Sequence, residues 1–331
     1  GKKLLATGNG RCNLTNMHAD VSHYHGDTKY AEGILKAFPP KRILAYFQQL
    51  GLLCREQSEG RVYPYSMQAA TVLNILRAQL ERHEVTEQCG FAVRTVRRTS
   101  NGYTILSQDG TTVCARFLLL ASGGMAQAGA ESGYPLLRQL KHSITPLKPA
   151  LVPIAVKEVK RVRALKGVRA QAAVSLQRGS KILRQTCGEV QFTEHGLSGI
   201  CIFELSRDAL PGDTVSIDLV PDYTLSELQK ITGGRLDGVL HKALVQACPF
   251  AQCKDFCFTV EHTEDFKHAQ VTAGGVPLSQ LDETCQSLRS PGAWIVGEIL
   301  NVDGDCGGFN LHWAWSTALC AVQSVCEEAH K

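Results

Sequence analysis

Several absences narrow this sequence before any motif is read. No apolar run in its 331 residues approaches the roughly eighteen that a membrane-spanning helix needs, and no signal peptide is visible. A cytoplasmic protein without a membrane partner is expected. Charge of one sign is scarce as well: 35 Lys and Arg against 31 Asp and Glu leave a net +4, and basic residues come only in short pieces such as Lys160-Arg161 and Arg97-Arg98. So mild a balance argues against a nucleic-acid partner and for a small-molecule substrate. The 13 cysteines form no C-x-x-C pair and suggest no disulfide framework. Reduced thiols and no bound metal are therefore expected, the cluster Cys248, Cys253 and Cys257 reading as core-facing thiols on a helical segment. Also missing is any G-x-G-x-x-G, the turn in which a strand meets a helix around a pyrophosphate. The nearest string, Gly8-Asn9-Gly10-Arg11-Cys12-Asn13, fails at its last position and follows no strand.

What is present gathers at the two ends. Residues 297–319, GEILNVDGDCGGFNLHWAWSTAL, join an apolar strand, Ala293 to Val296, to a helix starting near Asn310 through a glycine-rich turn. Glu298, directly after the strand, suits a sugar hydroxyl. Gly307 and Gly308 let a flat ligand approach bare backbone, and the first N–H groups of the helix carry the positive end of its dipole. The opening residues, GKKLLATGNGRCNLTN, pack three glycines, two lysines, an arginine and three asparagines into a stretch with no hydrophobic period. Such a loop suggests binding rather than core.

These two stretches together resemble the BaiN/YhiN-type family of FAD-dependent oxidoreductases. The resemblance extends through RVYPYSMQAATVL at 61–73, LLLASGG at 118–124, SGYPLLRQL at 132–140, ITPLKPALVPI at 144–154, FTEHGLSG at 192–199 and VTAGGV at 271–276, and so covers essentially the whole chain. It implies an α/β fold: a Rossmann-like FAD-binding domain interrupted by an antiparallel β-barrel-like insert with a helical annex. The domains are expected at 1–146, 147–268 and 269–331, the middle one on the substrate side, with the substrate site between cofactor domain and insert. The family's opening βαβ unit, about 30 residues, would end near Gly1. It is therefore expected to be missing, and this chain to retain FAD poorly.

The resemblance also implies where FAD is held. The positions are Lys3, Thr7, Gly8, Asn9, Gly10, Arg11, Cys12 and Asn13 in the first loop; Ser122, Gly123 and Gly124 after the apolar run 117–120; and Glu298, Asp303, Gly307, Gly308, Asn310 and Leu311 near the end. NAD(P)H is the expected donor and an unsaturated or carbonyl-conjugated small molecule the expected acceptor. An oxidase of a small amine or aminoketone, and a partial flavoprotein that no longer holds FAD, remain open. No catalytic residue is assigned, although His142, His195 and His312 could each supply a proton. The oligomeric state is open. Against the family pattern, Asn301 stands where Asp is expected, Lys141 replaces a glycine, Cys201 a proline, and Leu288-Arg289 a Ser-Lys-type ending.

Between the ends, helices are expected over 31–50, broken at Pro39-Pro40, and over 68–82. A three-stranded meander with turns at Asn101-Gly102 and Asp109-Gly110 should follow, leading into a buried parallel strand at 117–120. Strands at 151–157, 168–178, 181–193 and 213–220 then precede helices over 224–247. Gly196 to Gly199 reads as the entry to a short helix, either capped by Ser198 or, as the resemblance implies, facing the flavin as part of the substrate pocket.

Overall fold

The computed structural model describes residues 1–127 and 132–330. It divides into two compact units, one built from Gly1–Met125, Gly129–Lys148 and Val271–Lys331, the other from Ala126–Ala128 and Pro149–Gln270. The expected α/β arrangement is observed, with a closed antiparallel barrel in the second unit.

The first unit opens with a short helix, α1 (Lys2–Ala6), where the sequence suggested a loop: Lys-Lys-Leu-Leu-Ala are all good helix formers. A small antiparallel sheet follows, β1 (Thr15–Asn16), β3 (Cys54–Glu56) and β4 (Arg61–Pro64), with β4 central. Between them lie β2 (Tyr24–Gly26) and the helices α2 (Thr28–Ala37) and α3 (Pro40–Gln49). Pro39 and Pro40 part the two helices because Pro40 can open a helix but cannot continue one. Helix α4 (Ala69–Arg82) precedes the meander β5 (Val93–Thr99), β6 (Gly102–Ser107) and β7 (Thr112–Ala115), whose turns fall at the expected Asn101-Gly102 and Asp109-Gly110. Next comes β8 (Leu118–Leu120), and α5 (Tyr134–Gln139) closes this part of the unit.

In the second unit, β9 (Ile154–Val156) and α6 (Val159–Ala164) lead into the long hairpin β10 (Arg169–Arg178) and β11 (Lys181–Phe192). After β12 (Gly196–Ser198), α7 (Ile200–Leu205) and β13 (Thr214–Asp218) come helices α8 (Leu225–Thr232) and α9 (Lys242–Ala247), then β14 (Phe256–Thr263). The six strands close into an antiparallel barrel in the order β9-β12-β11-β10-β13-β14. Alternation drives the closure. Ala172, Val174 and Leu176 on β10, Val215 and Ile217 on β13, and Phe256, Phe258 and Val260 on β14 are all buried at every second position. Phe192, Phe256 and Phe258 pack with ring centroids 4.9–6.4 Å apart. Helix α8 is held by a capping box between Thr224 and Glu227.

Two expectations fail here. Residues 196–198 form a strand, and α7 is capped by the backbone of Gly199 with no side-chain bond, so Ser198 is not its cap. Cys257 lies on β14, because alternation with its buried neighbours Phe256 and Phe258 makes this stretch a strand rather than a helix.

The first unit ends with β15 (Val271–Ala273), β16 (Ala293–Ile295), β17 (Val302–Gly304) and the 21-residue helix α10 (Phe309–Ala329). Strand β16 pairs in parallel with β8, and β17 pairs antiparallel with β2. Contrary to the expectation of burial on both faces, Leu119 in β8 is 43% exposed. Helix α10 buries Phe309, His312, Trp313, Ser316, Thr317 and Ala321, a spacing that confines them to one face. Trp294 and Trp313 are fully buried and anchor the core of this unit, each worth about 2–3 kcal/mol on transfer from water.

Candidate functional site

Three clusters of the first unit contain most of the residues singled out in the sequence. The first is the opening loop. Gly8, Asn9, Gly10 and Cys12 all have positive φ, from 55° to 79°, and the coil is closed by Cys12 N–H donating to the Thr7 carbonyl (3.0 Å) and Arg11 N–H to that of Gly8 (3.3 Å). Glycine is required at position 8, since a Cβ there would sit 2.6 Å from the Asn13 nitrogen. The Thr7 hydroxyl donates back to Leu4 O, and the Arg11 guanidinium lies 5.0 Å above the Tyr63 ring. Cys12 is fully buried, and burial pushes its thiol up to about 12, so it packs rather than reacts.

The second cluster assembles around Glu298. Lys3 Nζ donates to Gly124 O at 2.6 Å and stands 4.0 Å from Glu298 Oε2, while Glu298 Oε1 accepts the Thr272 N–H at 2.9 Å. Small residues are needed here. A Cβ on Gly124 would lie 2.6 Å from Glu298 Oε1 and 2.5 Å from Thr272 Oγ1; one on Gly123 would meet Lys3 Nζ at 3.3 Å and Glu298 Oε2 at 3.6 Å. Positions 3, 123, 124 and 298 are thus brought together as a cradle with one carboxylate oxygen, Oε2, not engaged by the backbone. Thr272, in VTAGGV, was not singled out; nothing in its local sequence shows that it faces a carboxylate 26 positions away.

The third cluster is the start of α10. Its N-cap, Gly308, has φ 103° and no side-chain cap. The glycine has a different reason from the one the sequence suggested. A Cβ at 308 would lie 2.5 Å from the Thr15 carbonyl and 2.9 Å from Asn13 Oδ1, so this chain's own backbone, rather than a ligand alone, demands the missing side chain. Asn16 Nδ2 donates to Gly307 O at 2.9 Å, joining the ends of the chain. Asn13 is 8% exposed, and its Oδ1 is buried without a hydrogen-bond partner.

Other candidates are placed elsewhere or are already engaged. Asn310 is a staple: its side chain accepts from Gly304 N–H and donates to the carbonyls of Gly304 and Asp305. Leu311 is half-buried in the first turn of α10, and Ser122 is exposed. Asp303 is 2% exposed, in the strand pairing with β2. Asp305 lies 2.7 Å from His25 and 3.2 Å from His23. Asn301 accepts the Thr145 hydroxyl at 3.3 Å.

The histidines separate clearly. His312 is fully buried with Nδ1 2.8 Å from Thr15 Oγ1, and burial lowers its pKa to about 4, so it is neutral near pH 7. His142 is also buried and lowered, chiefly by burial, between Gln280 (3.2 Å) and Ser287 (2.8 Å). His195 is exposed in the barrel unit. Among the described residues, the only group spaced to hold a metal is the outward-facing Glu264, Asp265 and His268, not the cysteine cluster.

A parallel strand pair ending in glycine turns, followed by a long helix with an open N-terminus, accords with a Rossmann-type domain, here interrupted by a barrel. The family described as "HI0933-like protein Rossmann domain" matches residues 1–324, and the chain belongs to it. The resemblance to BaiN/YhiN-type FAD-dependent oxidoreductases thereby holds, and the protein is an oxidoreductase of that class. It is 36% identical to a 3-dehydro-bile acid delta(4,6)-reductase of Clostridium scindens, over 99% of this chain and 90% of that protein. Ribosomal RNA dihydrouridine synthases of Escherichia coli (26%, over 98% of this chain and 89% of that protein) and Haemophilus influenzae (24%, over 98% and 90%) are more distant relatives. No helix among the described residues is long and apolar enough to cross a membrane.

Proposed function

We propose that this protein reduces a carbon–carbon double bond conjugated to a carbonyl in a small molecule, with NAD(P)H as donor and FAD as the bound carrier. The observation that carries the reading is Asn13 Oδ1, buried and unpartnered beside the uncapped start of α10. An acceptor next to helix N–H donors complements a flavin's pyrimidine edge, whose N3–H donates and whose two flanking carbonyls accept. These residues fit the group.

FAD would supply hydride transfer; the chain supplies position and field. The first turn of α10 would place positive potential where negative charge gathers on reduction. Glu298 Oε2 would accept from a ribityl hydroxyl, with the Lys3 ammonium 4.0 Å away on the same side of the cradle. His312, neutral and buried, holds Thr15 in place rather than delivering a proton.

The acceptor class is supported by the reductase that is 36% identical, whose name places its double bonds next to a 3-oxo group. A second reading, reduction of the uracil ring in RNA, is supported by the dihydrouridine synthases and involves the same kind of bond. The thirteen cysteines, all free thiols, support a reducing compartment such as the cytoplasm.

The test is anaerobic oxidation of NADPH and of NADH by the FAD-supplemented protein, with a 4,6-dien-3-one steroid or a uridine-containing RNA as acceptor. Turnover with the steroid alone supports the first reading, turnover with RNA alone the second. Peroxide formation from aminoacetone without NAD(P)H, and no turnover with either acceptor, would overturn both.

A further inference from the structure

Away from the three clusters, an open cleft of about 700 Å³ lies along the edge strand β5 and the end of α5, lined among others by Arg97, Arg98, Lys141 and Arg289. No Asp or Glu lines it, and none of these four cations has a carboxylate within ion-pair distance among the described residues. All four are exposed, whereas Arg77, Arg178 and Arg184 elsewhere are paired. Four like charges around one cleft repel, and folding alone gives no reason to collect them.

Lys141 sharpens the point. It has φ 66°, in the left-handed region that glycine enters at no cost, yet it carries a long cationic side chain to the cleft rim. The polar backbone here is already satisfied: Gln139 Oε1 accepts the Val96 N–H and its Nε2 donates to Arg94 O, while Ser290 Oγ donates to Leu140 O. What remains unmatched is positive charge. The lining holds no aromatic ring on which a base could stack and no glycine turn.

We propose that this cleft binds the phosphate groups of a ligand carrying several of them, by charge rather than by base recognition. A nucleic-acid backbone and a nicotinamide dinucleotide both present that chemistry. The site stands apart from the Glu298 and α10 clusters and does not depend on the identity of the reduced substrate.

The experiment measures binding of a fluorescein-labelled oligo(U) of about twelve nucleotides by anisotropy, and of NADPH and NADH by fluorescence, across a salt series. For a single strand the affinity falls with a log–log salt slope of about 0.7 per phosphate neutralised, so four contacts imply roughly a 50-fold loss for a fourfold rise in salt. Arg97→Gln/Arg98→Gln should lower that slope by about 1.4. Lys141→Gly should lower it by about 0.7 while Tm stays level or rises, since glycine relieves the left-handed backbone. That variant keeps the test valid should the double variant fail to fold.

Loss confined to oligo(U) supports the proposal and names nucleic acid as the phosphate source. Loss confined to the dinucleotides supports it and names the dinucleotide as the phosphate source. Unchanged affinity and salt slope for all three probes in both variants would overturn it.

Discussion

Acidification should unfold this protein partly through one buried imidazole. His312 is fully buried on α10, and its pKa falls from 6.5 to about 4 in the fold. The folded state therefore binds this proton less readily than the unfolded chain, so the contribution is fully present above pH 6.5 and is lost as pH falls toward 4. From those two values the loss is about 2 kcal/mol at pH 5 and about 3 kcal/mol at pH 4. The assay is urea unfolding of the native protein and of His312→Gln at pH 7 and pH 5. Carboxylates and other histidines titrate in both proteins, so the difference of differences isolates His312; the variant should lose about 2 kcal/mol less on acidification. Equal losses would refute the reasoning. So would an imidazole NMR titration showing His312 protonated at pH 5.5 in the folded protein, a measurement that needs no variant.

Gly308→Val should destabilise the fold by several kcal/mol whether or not FAD is present, because its Cβ would meet the Thr15 carbonyl at 2.5 Å on a backbone with φ 103°; a normal Tm would show the loop can shift. Glu298→Ala should weaken FAD binding by roughly 1.5–3 kcal/mol, as for loss of a charge-assisted hydrogen bond, measured by flavin fluorescence quenching. An unchanged Kd there would move the role elsewhere. Cys12 should resist Ellman's reagent in the native protein at pH 8, since its thiol titrates near 12 and is buried; fast labelling at that position, mapped by mass spectrometry, would contradict the packing.

Local pattern carried much of the architecture. Period-two alternation located four of the six barrel strands, because apolar side chains recur at every second position on the face turned to the barrel core, as at Ala172, Val174 and Leu176. The paired prolines at 39 and 40 parted two helices by removing a backbone donor, and Asn101-Gly102 and Asp109-Gly110 marked the hairpins by their tolerance of positive φ. Two of the misread elements are short, and the third, β14, was masked by the cysteine spacing around Cys257. Residues 196–198 are held as a strand by a tight hairpin with Phe192 and by pairing with Ile154, which is distant in sequence, and α1 lacks the length for periodicity to show.

The sequence by itself determined that glycines and polar residues gather at 1–16 and 297–311, and that a long helix follows them. Those features depend on residue type and neighbours. Only the tertiary structure decided what each residue does: that Asn310 is consumed by Gly304, that Asp303 is buried while Asp305 faces two histidines, that Thr272 grips Glu298, and that Gly308 makes room for Thr15. The same is true of the cleft, whose four cations come from three separate stretches. Hydrogen bonds and close contacts are short-range in space but not along the chain, so which polar group remains free for a ligand is settled only once the distant partners have met.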